Sequence, residues 1–235
     1  MNTLAEKTIG EMVAQNPARA RLFEKLGIDY CCGGKQSLED ACRARGLDAA
    51  SVAQVLEALD ETDGAGQENW SRRSLKDLID NILSTHHAYL KRELPRLAEI
   101  VNKVATVHGG NHAELKDVRY TFSLLKAELD EHMMKEENIL FPTIIAMETG
   151  GQGPLHWGGI DRPIAVMEHE HDNAGRALAT LRQLTADRRV PDDACNTYRV
   201  MLSSLAELES DLHEHISKEN NILFPRAMDL ARSRV

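Results

Sequence analysis

The sequence predicts an all-α protein: an antiparallel four-helix bundle over residues 74–235, with a small helical domain over residues 1–60 ahead of it. Three observations carry this. Four long stretches after residue 74 place apolar residues three and four apart, the period of a helix with one buried face. Ala, Leu and Glu abound while aromatics make up only 4%, a composition that suits helices better than sheets. A twelve-residue segment at the end of the second stretch recurs at the end of the fourth, so one helical hairpin is repeated. Four amphipathic helices with short connections pack most simply as an up-and-down bundle.

Composition bounds the function. The 235 residues suffice for one sizeable domain with a small appendage. Thirty-seven acidic against 28 basic residues give a net charge of −9, a poor match for nucleic-acid phosphates or an anionic membrane. No run of about 18 apolar residues exists, so no membrane-spanning helix is expected. The polar, acidic start MNTLAEKTIGEM argues against a secretory signal. Four cysteines are too few for a disulfide scaffold and point to the cytoplasm.

In the N-terminal domain, Asn16-Pro17 ends one short helix and starts another. Ser37 with Asp40 three residues on opens a third, and Asp48 caps a fourth. Between them lies the glycine-rich loop DYCCGGKQ (29–36). Residues 61–73, with Gly and charge but no apolar period, read as a linker.

The first bundle helix starts at Ser74, with Asp77 as its capping acid, and carries Leu75, Ile79, Leu83, Leu90, Leu94 and Leu97 on one face. Pro95 should kink it, and Gly109-Gly110 should stop it. The second runs from about Ala113 to Met147, the third from Asp161 to Ala186, and the fourth from Pro191 to Arg232. A glycine-rich loop (149–160) joins the two hairpins.

The repeat is HMMKEENILFPT (132–143) against HISKENNILFPR (215–226), identical at eight of twelve positions with an offset of 83. His87 and His171 stand 84 apart, so the first and third helices are related as well. A duplicated hairpin has a pseudo-twofold axis, and its core invites a symmetric site.

His132 and Glu136 stand four apart, as do His215 and Glu219, and each pair shares the apolar face of its helix. A carboxylate among leucines is costly unless a cation compensates it. His171 lies on the stripe Ile164, Met167, Ala174 and Leu178. His87 continues Leu83, Leu90 and Leu94; His86 is nearly as well placed, and the repeat slightly favours His87. His108 closes the first helix without a counterpart. Five imidazoles and two bridging carboxylates supply about nine of the twelve bonds that two octahedral ions take, and an oxo or hydroxo bridge leaves about one position open. Such a mixed set suits iron better than manganese, and wastes donors on a lone zinc. The open position would take dioxygen, nitric oxide or azide. Glu128, Asp211 and Glu170 are candidates to orient the imidazoles.

With these residues in place, DYCCGGKQ, HMMKEENILFP, VMEHEHDNAG (166–175) and HISKENNILFPRA together resemble the RIC-type di-iron proteins, implicated in repair of iron–sulfur clusters after nitrosative and oxidative damage. The similarity covers nearly the whole chain. It implies a hemerythrin-like bundle with a non-haem pair of irons held by His87, His108, His132, His171, His215, Glu136 and Glu219, and it chooses His87 over His86. It also implies a cytoplasmic stress-response protein, with damaged iron–sulfur proteins and nitric oxide or another small ligand as partners. Oxygen-carrying hemerythrins have His-x-x-x-His on the third helix and end on His-x-x-x-x-Asp. Here positions 167 and 175 are Met and Gly, and the last pair is His-x-x-x-Glu, which disfavours oxygen storage.

Cys31 and Cys32 are adjacent, so they cannot readily chelate one ion together. Gly33-Gly34 and the helix start near Ser37 would lower a thiol pKa, and the resemblance favours a thiolate that receives iron or nitric oxide or meets a client cluster. Cys42 and Cys195 read as structural; His86, His112, His156, His169 and His213 as surface residues; and both ILFP segments as core packing with a kink. Iron donation to damaged clusters is the leading function. A nitric oxide or peroxide reductase with an external electron donor, a gas sensor or carrier, and a two-zinc hydrolase are the alternatives. The oligomeric state stays open, with a homodimer compatible.

Overall fold

The computed structural model describes residues 7–63, 69–151, 153, 154 and 159–233, with side chains of 61–63 excepted. His156 and linker residues 64–68 lie outside the described residues. The chain divides into two compact units, one of Met1–Ile79 with His213–Val235, the other of Asp80–Leu212.

The first unit begins with four helices, α1 (Ile9–Gln15), α2 (Arg19–Leu26), α3 (Leu38–Ala44) and α4 (Ala49–Asp63). Their starts are set by side-chain caps. Thr8 Oγ1 accepts from the Glu11 amide while Glu11 accepts from the Thr8 amide. Ser37 caps α3 through the Asp40 amide, and Asp48 caps α4 through Ser51; each cap is worth about 1 kcal/mol. Asn16 ends α1 and Gly27, at φ 66°, ends α2. Ile9, Met12, Phe23, Ile28, Leu56 and Ile216 form the core. Ile216 comes from the far end of the chain, so the C-terminal segment is part of this unit's interior.

The second unit is the bundle. Its helices are α6 (Ala88–His108), α7 (Leu115–Lys135), α9 (Asp161–Leu184) and the part of α10 (Asn196–Lys218) up to Leu212. Buried residues recur at helical period on each: Leu90, Leu94, Leu97 and Val101 on α6, and Met201, Leu205, Leu208 and Leu212 on α10. Arg96 on α6 reaches Ser204 on α10, while His86 just before α6 reaches Asp211, so these two helices run antiparallel. No helix among the described residues is long and apolar enough to cross a membrane.

α6 runs through Pro95 and ends before Gly109, as expected, whereas α10 begins at Asn196 rather than Pro191. In addition, three stretches that alternate with α-helix are wound as single π-turns: Leu83–His87, between α5 (Leu75–Ile82) and α6; Glu136–Leu140, between α7 and α8 (Phe141–Thr149); and Glu219–Leu223, between α10 and α11 (Phe224–Arg232). In each, an amide bonds the carbonyl five residues back: Ala88 to Leu83, Phe141 to Glu136, Phe224 to Glu219.

Candidate metal centre

All three π-turns hold a residue singled out as a ligand. His87 ends the first, and Glu136 and Glu219 begin the others. Such turns recur at functional sites, because one inserted residue re-aims the side chains around it. Pro142 and Pro225 follow the second and third. Proline has no N–H to give the carbonyl four back, and its ring crowds that carbonyl; a wider turn relieves both problems.

In the bundle unit, Glu136 is fully buried. Its Oε2 lies 3.3 Å from His87 Nε2 on one side and 3.4 Å from His132 Nε2 on the other. Among the described residues, neither Glu136 oxygen receives a hydrogen bond. His171 Nε2 comes within 3.1 Å of His132 Nε2, and the donor atoms of His132, Glu136 and His171 all lie within 4.8 Å of one another. In the other unit, His215 Nε2 stands 3.1 Å from Glu219 Oε1, both residues buried.

The far side of the imidazoles fixes their protonation. His87 Nδ1 meets Glu137 Oε1 at 2.8 Å, and His132 Nδ1 meets Glu170 Oε2 at 2.9 Å. A carboxylate there takes the Nδ1–H, which leaves Nε2 with a bare lone pair in the neutral ring. Lys91 and Lys135 bond the same carboxylates from outside. Burial alone would raise Glu137, but its bonds from Lys91 and His87 outweigh it and hold the carboxyl below its usual range. The bond from His132, helped by Lys135, pulls Glu170 down to about 2. The result is lone pairs of two imidazoles aimed at a buried carboxylate. That arrangement repels unless a cation or a proton lies between, and the nitrogen–oxygen donor set suits a transition-metal ion.

Several expectations need correction. His86 is not a surface residue: it is buried and bonds Asp211 Oδ1 at 2.9 Å. Asp211 is thus engaged by His86, and Glu128 points to the exposed face of α7. Glu170 serves His132 rather than its neighbour His171. His112 is half-buried between Glu114 and Asp193, and His213 is half-buried edge-on to Tyr30; His169 is exposed.

His108 is not brought to His87, His132 or His171. It follows His87 by 21 residues along one helical run, roughly 30 Å at 1.5 Å per residue. There it bonds Cys195 Sγ at 3.2 Å and packs on Tyr198. Cys195 is exposed rather than structural, and the Tyr198 amide at the start of α10, with His108, brings its thiol down to about 7. Cys42 is buried, and burial raises its thiol.

The thiol loop also differs from expectation. Asp29 Oδ1 accepts the amides of Cys31 and Cys32, at 3.0 and 2.9 Å, and lies 3.3 Å from Cys31 Sγ. The amides of Cys31 and Cys32 are therefore spent on a carboxylate rather than on a thiolate. The bond to Cys32 and burial push the Cys31 thiol well up. Asp29, Cys31 and Cys32 nonetheless keep their donor atoms within 4.8 Å of one another.

Glu137 is the site residue that sequence reasoning passed over. Its signal lay in the repeat, where EEN in the first copy faces ENN in the second. A departure from duplication marks a position with its own task.

Comparison with known proteins agrees with this geometry. The hemerythrin HHE cation binding domain matches residues 78–227, and a domain of unknown function (DUF542) matches residues 5–60. The iron–sulfur cluster repair protein YtfE of Musicola paradisiaca is 40% identical over 223 residues, 95% of this chain and 96% of the relative. That of Edwardsiella ictaluri is 38% identical over 226 residues, 96% and 98% of the two chains. That of Escherichia coli O157:H7 is 38% identical over 223 residues, 95% and 97%.

Proposed function

The chain belongs to the hemerythrin HHE cation-binding family, and we propose that it repairs iron–sulfur clusters damaged by nitrosative or oxidative stress by carrying two iron ions and giving iron up to the damaged protein. The observation that carries this is the Glu136 carboxylate, buried without a hydrogen-bond donor between two imidazole nitrogens. On this reading, His87, His132, His171, His215, Glu136 and Glu219 would hold the ions. His215 and Glu219 enter because they repeat His132 and Glu136 in sequence and are equally buried. His108 is left out.

When bound, iron would supply an exchangeable, redox-active cation able to take nitric oxide or another small ligand. The protein's own part is to hold and release it. Glu137 and Glu170 keep the imidazoles in the tautomer that binds metal. Their lysine partners keep those carboxylates ionised without bringing a further proton to Nε2. Release is favoured when protons take the cation's place on Nε2 and on Glu136 and Glu219. Iron held by exchangeable nitrogen and oxygen donors is the protein's cargo. We assign residues 1–60 to the thiol-bearing domain, 61–73 to the linker and 74–235 to the iron-carrying bundle. The cytoplasm, where thiols stay reduced, is its proposed compartment.

The test is metal analysis of the purified protein, followed by incubation with a hydratase whose iron–sulfur cluster has been broken by nitric oxide. About two irons per chain, lost in step with recovery of hydratase activity, is the expected result. Protein that binds no iron, or that keeps all of it while the hydratase recovers, overturns the reading.

A further inference from the structure

The second copy of the repeat carries two asparagines, Asn220 and Asn221, directly after Glu219. In the first copy the second of these positions is Asn138, which is exposed and bonds only its own helix, at the Met134 carbonyl. In the second copy both reach out of the helix. Asn220 Nδ2 donates to the Cys31 carbonyl at 3.1 Å. Asn221 Nδ2 donates to the Tyr30 carbonyl at 2.9 Å and to Ser217 Oγ at 3.0 Å.

The glycines on the facing side fit this contact. A Cβ on Gly10 or Gly34 would overlap Asn221 Oδ1, so both must be glycine for the asparagine to seat. The Gly10 amide in turn bonds the Gly34 carbonyl at 2.8 Å, and the Ile9 amide bonds that of Gln36 at 3.0 Å. The loop 29–36 is therefore gripped twice, by the start of α1 and by the turn 219–223. Inside the grip, Cys31 is only 5% exposed. No reagent reaches its sulfur unless the loop lifts.

We propose that Asn220 and Asn221 are positioning residues that clamp the thiol loop to the turn bearing Glu219, so that access to Cys31 is controlled by that turn. The clamp itself stands on the geometry above; that metal at Glu219 tightens it rests on the proposed function. A metal drawn to Glu219 orders the turn, and what orders the turn holds its two asparagines on the loop. By reciprocity, a loop that is held also favours the metal-bound turn.

The experiment is rate-resolved alkylation of the full-length protein by iodoacetamide, with each cysteine followed by mass spectrometry. It is run in chelator and after ferrous loading. In chelator, Asn221→Ala should label Cys31 about tenfold faster than the wild type, since a lost bond to a backbone carbonyl is worth roughly that factor in opening. Asn220→Ala, which removes the Cys31 carbonyl contact, should accelerate it less. Asn138→Ala should change nothing. In the wild type, ferrous loading should slow Cys31, and in Asn221→Ala that slowing should vanish. Wild-type rates at Cys31 in both variants overturn the clamp. Clamp variants that label fast while the wild type binds no iron would sink the iron reading and leave the clamp standing. Iron that binds without slowing wild-type Cys31 would remove the metal control.

Discussion

Glu136 offers the sharpest test, because the same side chain should weaken the metal-free protein and strengthen the loaded one. The perturbation is Glu136→Met, close in volume and free of charge. Glu136 is fully buried, and among the described residues neither of its oxygens takes a hydrogen bond. Replacing a buried polar group that has no partner by an apolar side chain of like size should recover its desolvation penalty, about 1–3 kcal/mol. With ferrous iron at a hundred times its dissociation constant, the wild type gains about 2.7 kcal/mol, while the variant, short of a carboxylate ligand, gains little. The two stability curves should therefore cross as metal is added. The assay is urea unfolding, in chelator and under anaerobic ferrous iron. A variant less stable than the wild type by more than about 1 kcal/mol in chelator would show that the carboxylate is satisfied by protons on its neighbours. Equal metal gains in both proteins would show that Glu136 is no ligand.

Three further outcomes follow from the rest of the molecule. His108→Ala should leave bound metal unchanged and slow the alkylation of Cys195; a drop in metal content would return His108 to the centre. At pH 7, Cys195 should be the first cysteine alkylated, with its thiol near 7 at the start of α10, and Cys31 the last, its thiol pushed up by Cys32 and by burial; the reverse order in a peptide-resolved time course refutes this. His112 bonds Asp193 and Glu114 through its two ring nitrogens, which needs both N–H groups, and its pKa is raised. Its contribution to stability is thus whole below about 6.5 and fades as pH climbs through the higher folded value. An imidazole NMR titration with a midpoint at or below 6.5, or one that Asp193→Asn fails to lower, would refute it.

The helices were legible because burial is periodic. Leu90, Leu94 and Leu97 fall where the stripe put them, as do Ser37, Asp48 and Ser74 at their caps. The repeat misjudged His86 by favouring its neighbour: at the π-turn Leu83–His87 both consecutive histidines are buried. His108 failed for another reason. The resemblance that put it among the ligands said nothing of distance along the axis. Twenty-one residues of helix separate it from His87, and only a ruler of 1.5 Å per residue exposes that. Asp211 and Glu170 were read as partners of histidines near them in the chain, whereas both bond histidines on another helix.

The duplication explains which parts of the site could be read and which could not. Where the copies agree, at His132/His215 and Glu136/Glu219, the shared chemistry survives in the sequence as identity. Where they part, each copy has acquired a separate neighbour. Glu137 steadies His87 in one, and Asn220 grips the thiol loop in the other. Even an identical pair can diverge in use, since Asn138 faces solvent while Asn221 holds Tyr30. The π-turns that bear a carboxylate are the two in the repeat, whereas the first, Leu83–His87, bears only imidazoles. α9 carries His171 without a π-turn, and it contributes an imidazole but no carboxylate. The helices that must aim an imidazole and a carboxylate at one point, four residues apart, are the two that insert a residue and follow it with proline. A π-turn loses α-helical hydrogen-bond geometry and persists where something compensates. Here the compensation falls on the residues that would bind the cation, so the distortion and the donor set are one feature of the sequence.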